Sequence, residues 1–384
     1  MVIVSLLGIV LNMSKMMVAA IGGIVRKNTF LIEKEQFLGL IMSKFNNMKI
    51  EDITEKLYLA SALIKEDKII SYVDRVANFL ERWAELDSES YIRVMEKNQK
   101  EGKTILSLKI KCIDSSDIAA ETLNNSYSSI LMSGTLSPIE MYRDILGVAN
   151  CDLMELDSPF ESEKQLTLVE NDVTTKYTAR TMDMYKRISK HVEEILNSDS
   201  TKNAIIFFPG YDMLEKVVSG IPVLSLNRKI LKEQRYMTKE QKEKYVEIFK
   251  SKSAFDTKGK VLFAVTSGSF AEGLDLPSTS LEIVVVVGLP LAVPDVFTQA
   301  VIRHFDKKFR KGQMYGYIFP AMNKIIQAAG RCIRDEEDRG VVVLMDARFL
   351  WPLYAQCFPK HWKMKVAQDN KLEIRNFFDS NKDL

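Results

Sequence analysis

From residue 31 to about residue 95 the apolar positions recur three and four apart. Leu31, Phe37, Leu38, Ile41, Met42 and Phe45 form one stripe, Ile53 to Ile64 a second, and Ile69 to Met95 a third. The third stripe contains Tyr72, Val73, Val76, Phe79, Leu80 and Trp83. This period predicts amphipathic helices, and no Pro or Gly falls between Gly39 and Gly102 to break them. Residues 27–100 therefore read as an all-helical region, with its Trp and Phe positions in a core rather than on a base-stacking platform. From Thr104 onward the pattern changes. Short β-branched runs at Ile105–Ile110, Ser129–Met132, Ala204–Phe208, Val261–Val265, Ile283–Val287, Tyr315–Phe319 and Val341–Met345 alternate with helical stretches. The helical stretches are Tyr211–Val218, Lys239–Lys250, Val296–Phe309 and Met322–Ile333. Near-continuous apolar strands alternating with helices predict an α/β fold, a parallel sheet covered by helices on both faces.

In such sheets ligands bind at the carboxyl ends of the strands. Ser129–Met132 is followed by Ser133-Gly134-Thr135-Leu136-Ser137-Pro138, a hydroxyl-rich turn that would serve equally as a helix cap. Ala204–Phe208 is followed by Pro209-Gly210-Tyr211. That tight turn into a helix would present backbone N–H groups to an anion, with Tyr211 either stacking on a base or packing at the helix start. After Val261–Val265 come Thr266, Ser267, Gly268, Ser269, Glu272, Gly273 and Asp275. A loop that only connects has no need of two carboxylates beside paired glycines. Met322–Ile333 runs into Gln327, Gly330, Arg331 and Arg334. Spacings of four and three put Gln327, Arg331 and Arg334 on one helix face. Gly330 in a helix costs about 1 kcal/mol against Ala, which suggests a close backbone approach. Two arginines and an amide on one face suit the charge of a triphosphate. The competing reading is a solvated face paired with Asp335, Glu336, Glu337 and Asp338.

The overall charge is +2, from 53 Lys+Arg against 51 Asp+Glu, so no whole-chain field marks a nucleic-acid or membrane protein. Arginine is unevenly placed, however: six of the sixteen lie between Arg303 and Arg348. The four cysteines, Cys112, Cys151, Cys332 and Cys357, have no metal-ligand spacing and read as reduced thiols of a cytoplasmic protein. Met1–Val25 is apolar, interrupted by Asn12, Ser14, Lys15 and glycines. It lacks the basic start and cleavage site of a signal peptide. Lys15 near its centre would cost about 2.5–3.5 kcal/mol in a membrane, so a helix packed against other protein is expected instead.

The order of motifs is similar to a known family. S-G-T-L-S-P, then F-F-P-G-Y, then G-S-F-A-E-G-L-D-L, then Q-A-A-G-R-C-I-R-D-E-E-D-R-G-V-V-V-L-M-D-A-R-F resembles the C-terminal half of superfamily 2 DNA helicases of the XPD type, the archaeal ones in particular. DinG-like helicases are the neighbouring group. The resemblance covers roughly residues 104–360, and its last motif is the most specific. It implies a RecA-like parallel sheet preceded by part of an arch-like helical domain. Residues 1–26 would be an apolar segment, 27–103 the arch-like part, 104–150 the return segment of motor domain one, and 151–384 motor domain two. It further implies that Ser133, Gly134 and Thr135 couple hydrolysis to strand movement. Pro209, Tyr211, Ser267, Gly268 and Arg303 would contact DNA. Glu272, Gly273, Asp275 and Gly330 would lie at the nucleotide, and Gln327, Arg331 and Arg334 would be catalytic, with the arginines reaching the γ-phosphate. The implied cofactors are ATP and Mg2+, the implied partner single-stranded DNA, and the implied activity 5′→3′ unwinding in DNA repair.

Several family features have no counterpart. Lys100-Glu101-Gly102-Lys103-Thr104 imitates the end of a phosphate-binding loop, but Lys97 stands where a Gly is needed and a strand follows instead of a helix. No Asp-Glu-Ala-His follows an apolar strand, and the four cysteines of an iron–sulfur cluster are missing. Val341–Met345 with Asp346 mimics a Walker B strand but comes after the arginine motif. Gly210 stands where the family often has Ser. The expectation is a half-motor whose Walker A and B motifs come from an upstream half, in the same natural chain or a separate one. The alternative is a helicase-derived nucleic-acid-binding or scaffold protein without catalysis.

Overall fold

The computed structural model describes residues 29–67, 72–100, 103–148, 150–222, 226–251, 258–272, 280–291 and 293–380. The apolar N-terminal segment thus lies outside the described residues. The chain divides into two compact units. The first comprises the residues up to Ser126 together with Ile145–Gly147 and Pro294–Gly312, and the second comprises Tyr127–Asp144, Val148–Val293 and Gln313–Leu384.

The first unit contains β1 (Thr29–Leu31), α1 (Lys34–Lys44), α2 (Ile50–Asp67), α3 (Tyr72–Glu85), β2 (Tyr91–Lys100), β3 (Lys103–Cys112) and α4 (Ser116–Asn124). Its core gathers Phe37, Ile41, Ile53, Leu57, Leu80, Trp83 and Met95. Trp83 is fully buried, with the Phe37 ring centroid at 4.6 Å, so it is a core residue. The unit is not all-helical. The helix expected to run to Met95 stops at Glu85, and β1, β2 and β3 form an antiparallel sheet. The cause is visible in the register. Glu96 on β2 pairs with Lys109 at 2.5 Å and Lys111 at 3.6 Å on β3, a cross-strand charge cluster that a helical reading of β2 alone misses. The Lys100–Lys103 pair ends this ladder, and Lys103 and Thr104 open β3, so a strand and not a helix follows the Lys-Glu-Gly-Lys-Thr run.

The second unit is built on β4 (Gln165–Glu170), β5 (Ala204–Phe208), β6 (Lys229–Lys232), β7 (Lys260–Val265), β8 (Ile283–Val287), β9 (Gly340–Met345) and β10 (Met364–Val366). These form one seven-stranded parallel sheet in the order β10-β4-β9-β8-β5-β7-β6. Every residue of β5, β7, β8 and β9 is buried, as expected where helices cover both faces. Helices α6 (Met182–Leu196), α7 (Tyr211–Val218) and α13 (Asn370–Asp379) contribute Ile188, Val192, Leu214, Val217 and Ile374 to the sheet core. The remaining helices are α5 (Ile139–Leu146), α8 (Lys239–Lys250), α9 (Ser269–Glu272), α10 (Val296–Phe309), α11 (Phe319–Ala329) and α12 (Pro352–Ala355). Of these, α10 belongs to the first unit and α11 packs on β8.

Three expectations change. Ser129–Met132 is not a strand: Ile130 and Met132 are each 84% exposed, and no described strand lies beside it to receive its backbone groups. Tyr315–Phe319 is a wide helical turn (Met314–Ile318) running into α11, where Pro320 sits in the first turn. The arginine helix also ends early. Gly330 is its C-terminal cap, and residues 331–334 continue as turn and loop.

Candidate nucleotide and nucleic-acid site

The parallel ladder brings the ends of β5, β7 and β6 to one sheet edge, in that spatial order. The segments leaving it are tied together by a residue that the motif reading missed. Glu233, the first residue after β6, is 1% exposed. Its carboxylate accepts the N–H of Val265 and the N–H of Ser269, each at 2.9 Å, and the Tyr211 hydroxyl at 3.3 Å. A Cβ on Gly268 would lie 2.4–2.8 Å from that carboxylate, so the glycine is there to admit it. Burial, then the charge of Glu233, raises the Tyr211 phenol above its ordinary value. Thr266 is buried and donates from both its hydroxyl (3.0 Å) and its N–H (2.8 Å) to the Phe208 carbonyl, which locks the turns after β5 and β7 to each other. Ser267 faces solvent at the top of this turn.

Gly210, between Pro209 and Tyr211, has extended backbone (φ −178°) and open space where a Cβ would stand. Nothing at this position demands glycine, so a serine there would fit. Glu272 ends α9, while Gly273 and Asp275 lie outside the described residues.

Gln327 is brought to the Ser133-Gly134-Thr135 turn. Its Nε2 donates to Thr135 Oγ1 at 3.2 Å, and Ser133 Oγ accepts the Thr135 N–H at 3.2 Å. The three-residue helix face proposed for Gln327, Arg331 and Arg334 does not form, because the helix stops at Ala329. Arg331 turns back and donates to the carbonyl of Ala271 in α9. Arg334 is exposed, on a loop shaped by Asp338, whose buried carboxylate accepts the N–H groups of Arg334 (2.8 Å) and Asp335 (3.0 Å). Asp338 is thus a loop cap, not one charge of a solvated helix face. The crowding expected at Gly330 is slight: a Cβ would meet only the Ile326 carbonyl, at 3.0 Å.

Arg303 is exposed on α10, within the first unit. Two cations near it are already engaged. Lys308 donates to Asp114 at 2.7 Å, and Lys307 pairs with Glu89 at 2.5 Å. Asp346, directly after β9, is fully buried in a forked pair with Arg348 at 2.9 and 2.8 Å. It also accepts the Thr175 N–H at 2.7 Å. Burial raises its pKa, but the hydrogen bonds and charge of Arg348 outweigh this and hold the carboxyl below the ordinary range. The Asp-x-Arg ending is therefore a structural lock. Elsewhere His191 sits between Glu170 and Asp172 at the end of β4, its Nε2 3.0 Å from an Asp172 carboxylate oxygen.

A seven-stranded RecA-like sheet with this edge defines the helicase C-terminal class. The family profile described as "Helicase C-terminal domain" matches residues 192–365, and "Helical and beta-bridge domain" matches residues 39–179. The ATP-dependent DNA helicase XPD of Sulfolobus acidocaldarius is 30% identical over 261 residues, covering 63% of this chain and 43% of that protein. The 3'-5' exonuclease DinG of Staphylococcus saprophyticus is 25% identical over 295 residues, covering 75% of this chain and 31% of the relative. A solved XPD helicase structure superposes with a TM-score of 0.54 at 25% identity, over 77% of this chain and 51% of that one. The chain carries a helicase C-terminal domain and is similar to the C-terminal portion of the XPD-type superfamily 2 helicases. It spans less than half the length of the two curated relatives just named.

Proposed function

We propose that this chain is the second motor half of an ATP-dependent 5′→3′ DNA helicase acting in repair or unwinding. In this reading the edge formed by Pro209, Tyr211, Ser267 and Gly268 holds the backbone of a single DNA strand, and Arg303 is a separate DNA-contacting position within the first unit. Gln327 and Arg334 would turn to the phosphates of ATP while Arg331, held on the Ala271 carbonyl, would brace the loop beside them; Glu272, Gly273, Asp275 and Gly330 are assigned to the nucleotide by the order of motifs. Ser133, Gly134 and Thr135 relay changes there to the DNA edge. The observation that supports the reading is the Gln327–Thr135 hydrogen bond, which ties the side chain assigned to the nucleotide to the turn assigned to coupling.

The residues present fit part of an ATP site. Arg334 is solvent-exposed on a loop capped by Asp338, and Gln327 adds an amide. ATP bound with Mg2+ supplies the phosphoanhydride whose cleavage drives the motor. The residues here orient it and balance its charge, which is most of what phosphoryl transfer asks of a protein. The cradle for the phosphates and the metal would come from an upstream half carrying the Walker A and B motifs. The exposed apolar side chains of Ile130, Met132, Met154 and Leu156 support a further protein surface beside this segment. We assign the protein to the cytoplasm, where its thiols stay reduced. Among the described residues no helix is long and apolar enough to cross a membrane.

The test is ATP hydrolysis by the purified chain with and without single-stranded DNA. Negligible turnover alone is expected, with turnover gained when the upstream half is restored. In that complex Arg334→Ala should lower turnover about 10³-fold, the order of an arginine finger. Robust turnover by the chain alone, or an Arg334→Ala complex as active as the parent, would overturn the assignment.

A further inference from the structure

We propose that Arg235 is a phosphodiester-binding residue that extends the single-strand surface from Tyr211 across the carboxyl end of β6. The inference rests on the reading of this sheet edge as a DNA surface and adds to it a residue outside the helicase motifs.

Four observations converge on Arg235. It leaves the sheet edge two residues after Glu233, which is pinned by its buried carboxylate and by its own N–H, which donates to the Phe263 carbonyl at 2.8 Å. The base of the Arg235 side chain is thus fixed while its guanidinium reaches solvent. The guanidinium lies over the Tyr211 ring, 5.3 Å from its centroid. Stacking on an aromatic face holds the planar fork in place yet leaves its edge N–H groups free to point outward, the arrangement that suits two parallel bonds to a phosphate. Its carboxylate partner, Asp212 at 2.7 Å, has a side chain 86% exposed, and Arg235 itself is 57% exposed. A solvent-exposed pair of this kind is weak and readily exchanged for a doubly hydrogen-bonding anion. Finally, the next residue, Tyr236, is 92% exposed, a free ring beside a cation, as in surfaces that bind single strands without sequence preference.

The direction of the strand ends argues for a nucleic-acid backbone over a single small anion. The β5, β7 and β6 ends are neighbours in the sheet, and adjacent strands lie about 4.8 Å apart. Tyr211 and Arg235 leave β5 and β6, which are not neighbours, and meet across the end of β7 between them, so ring and guanidinium form one continuous surface over three strand ends, wider than a single small anion needs.

The experiment is fluorescence anisotropy of a labelled dT20 oligonucleotide with the full chain, titrated at several NaCl concentrations. Arg235→Ala should weaken binding several-fold at low salt. It should also reduce the slope of log K against log salt by about 0.7, one single-strand phosphate contact. Arg235→Lys should keep most of the slope, and Asp212→Asn should tighten binding by releasing the guanidinium. The last result has the opposite sign to any loss caused by misfolding. Wild-type binding with Arg235→Ala unchanged in both affinity and slope would overturn this inference and leave the edge assignment standing. No binding of dT20 by the wild-type chain at low salt would overturn the edge assignment itself, and this inference with it.

Discussion

The carboxylate of Glu233 occupies the space in which a side chain on Gly268 would have to stand. The two residues are 35 apart in sequence and meet because β6 and β7 are neighbours in the sheet. The same carboxylate holds the N–H groups on both sides of that glycine, at Val265 and Ser269.

Gly268→Ala should therefore destabilise the second unit by about 1–3 kcal/mol, the usual cost of forcing an atom into a packed site. Glu233→Ala should cost a similar amount, since it strands the buried N–H of Val265 and the part-buried N–H of Ser269. The double variant should cost less than the sum, because removing the carboxylate makes room for the new methyl. Urea unfolding of the four proteins measures the coupling. Strict additivity would show that the two side chains do not compete for one space.

Arg348→Ala should be more damaging. It removes the forked partner of a fully buried aspartate, and an uncompensated buried charge costs about 3–5 kcal/mol. Arg348→Lys should recover little, since a single ammonium cannot replace two parallel bonds. Equilibrium unfolding in urea checks both, and a loss below about 1 kcal/mol for Arg348→Ala would count against the lock.

How far the fold was legible depends on where each strand sits. Strands β5, β7, β8 and β9 are buried on both faces, so they are written as unbroken Val, Ile, Leu and Phe runs that a reader can find. Strand β6 is Lys-Ile-Leu-Lys and β10 is three residues long, each at an outer position of the sheet, so neither carries such a run. Helices α7, α8 and α10 start and stop where their periodicity does. The end of α11 was misjudged because the Gln327–Arg334 spacing fits a helix, whereas Gly330 and the Asp338 cap end it. Thr266, Gly268 and Tyr211 could be singled out from their position after strands. Glu233 could not, because a lone acid in Leu-Lys-Glu-Gln-Arg-Tyr looks like solvent-facing charge until three strand ends converge on it. The one available signal was its place directly after a strand at the same edge.

The four thiols should fall into two pairs. Cys112 and Cys151 are exposed, whereas Cys332 and Cys357 are buried. Burial pushes the Cys332 thiol far up and that of Cys357 up to about 11, which leaves almost no thiolate to react at neutral pH. A Cβ on Gly340 would lie 2.2 Å from the Cys332 sulfur, so this thiol is tightly enclosed. A disulfide reagent such as DTNB should titrate two thiols rapidly in the native chain and all four in denaturant. Rapid reaction of Cys332 in the native state would contradict the packing of the second unit.

Acid should loosen the first unit through Asp114. This carboxylate is 4% exposed and receives His304 and Lys308 from α10, both at 2.7 Å, and the Ser116 N–H at 2.9 Å. Burial alone would raise its pKa, but the hydrogen bonds from Lys308 and His304 prevail and hold it down at about 2. An unfolded aspartate titrates near 3.9. The folded pKa is the lower one, so the stabilisation is fully present above about pH 4 and is lost as pH falls towards 2. The exposed pair between Lys307 of the same helix and Glu89 contributes little. In a Trp351→Phe/Trp362→Phe background, where buried Trp83 is the one remaining fluorophore of its kind, urea midpoints followed by tryptophan fluorescence should drop between pH 4 and pH 2. Asp114→Asn should be less stable than the parent at pH 6, and the difference should shrink as the pH falls to 2. A constant difference across that range would mean that the Asp114 carboxylate does not hold α10 in place by its charge.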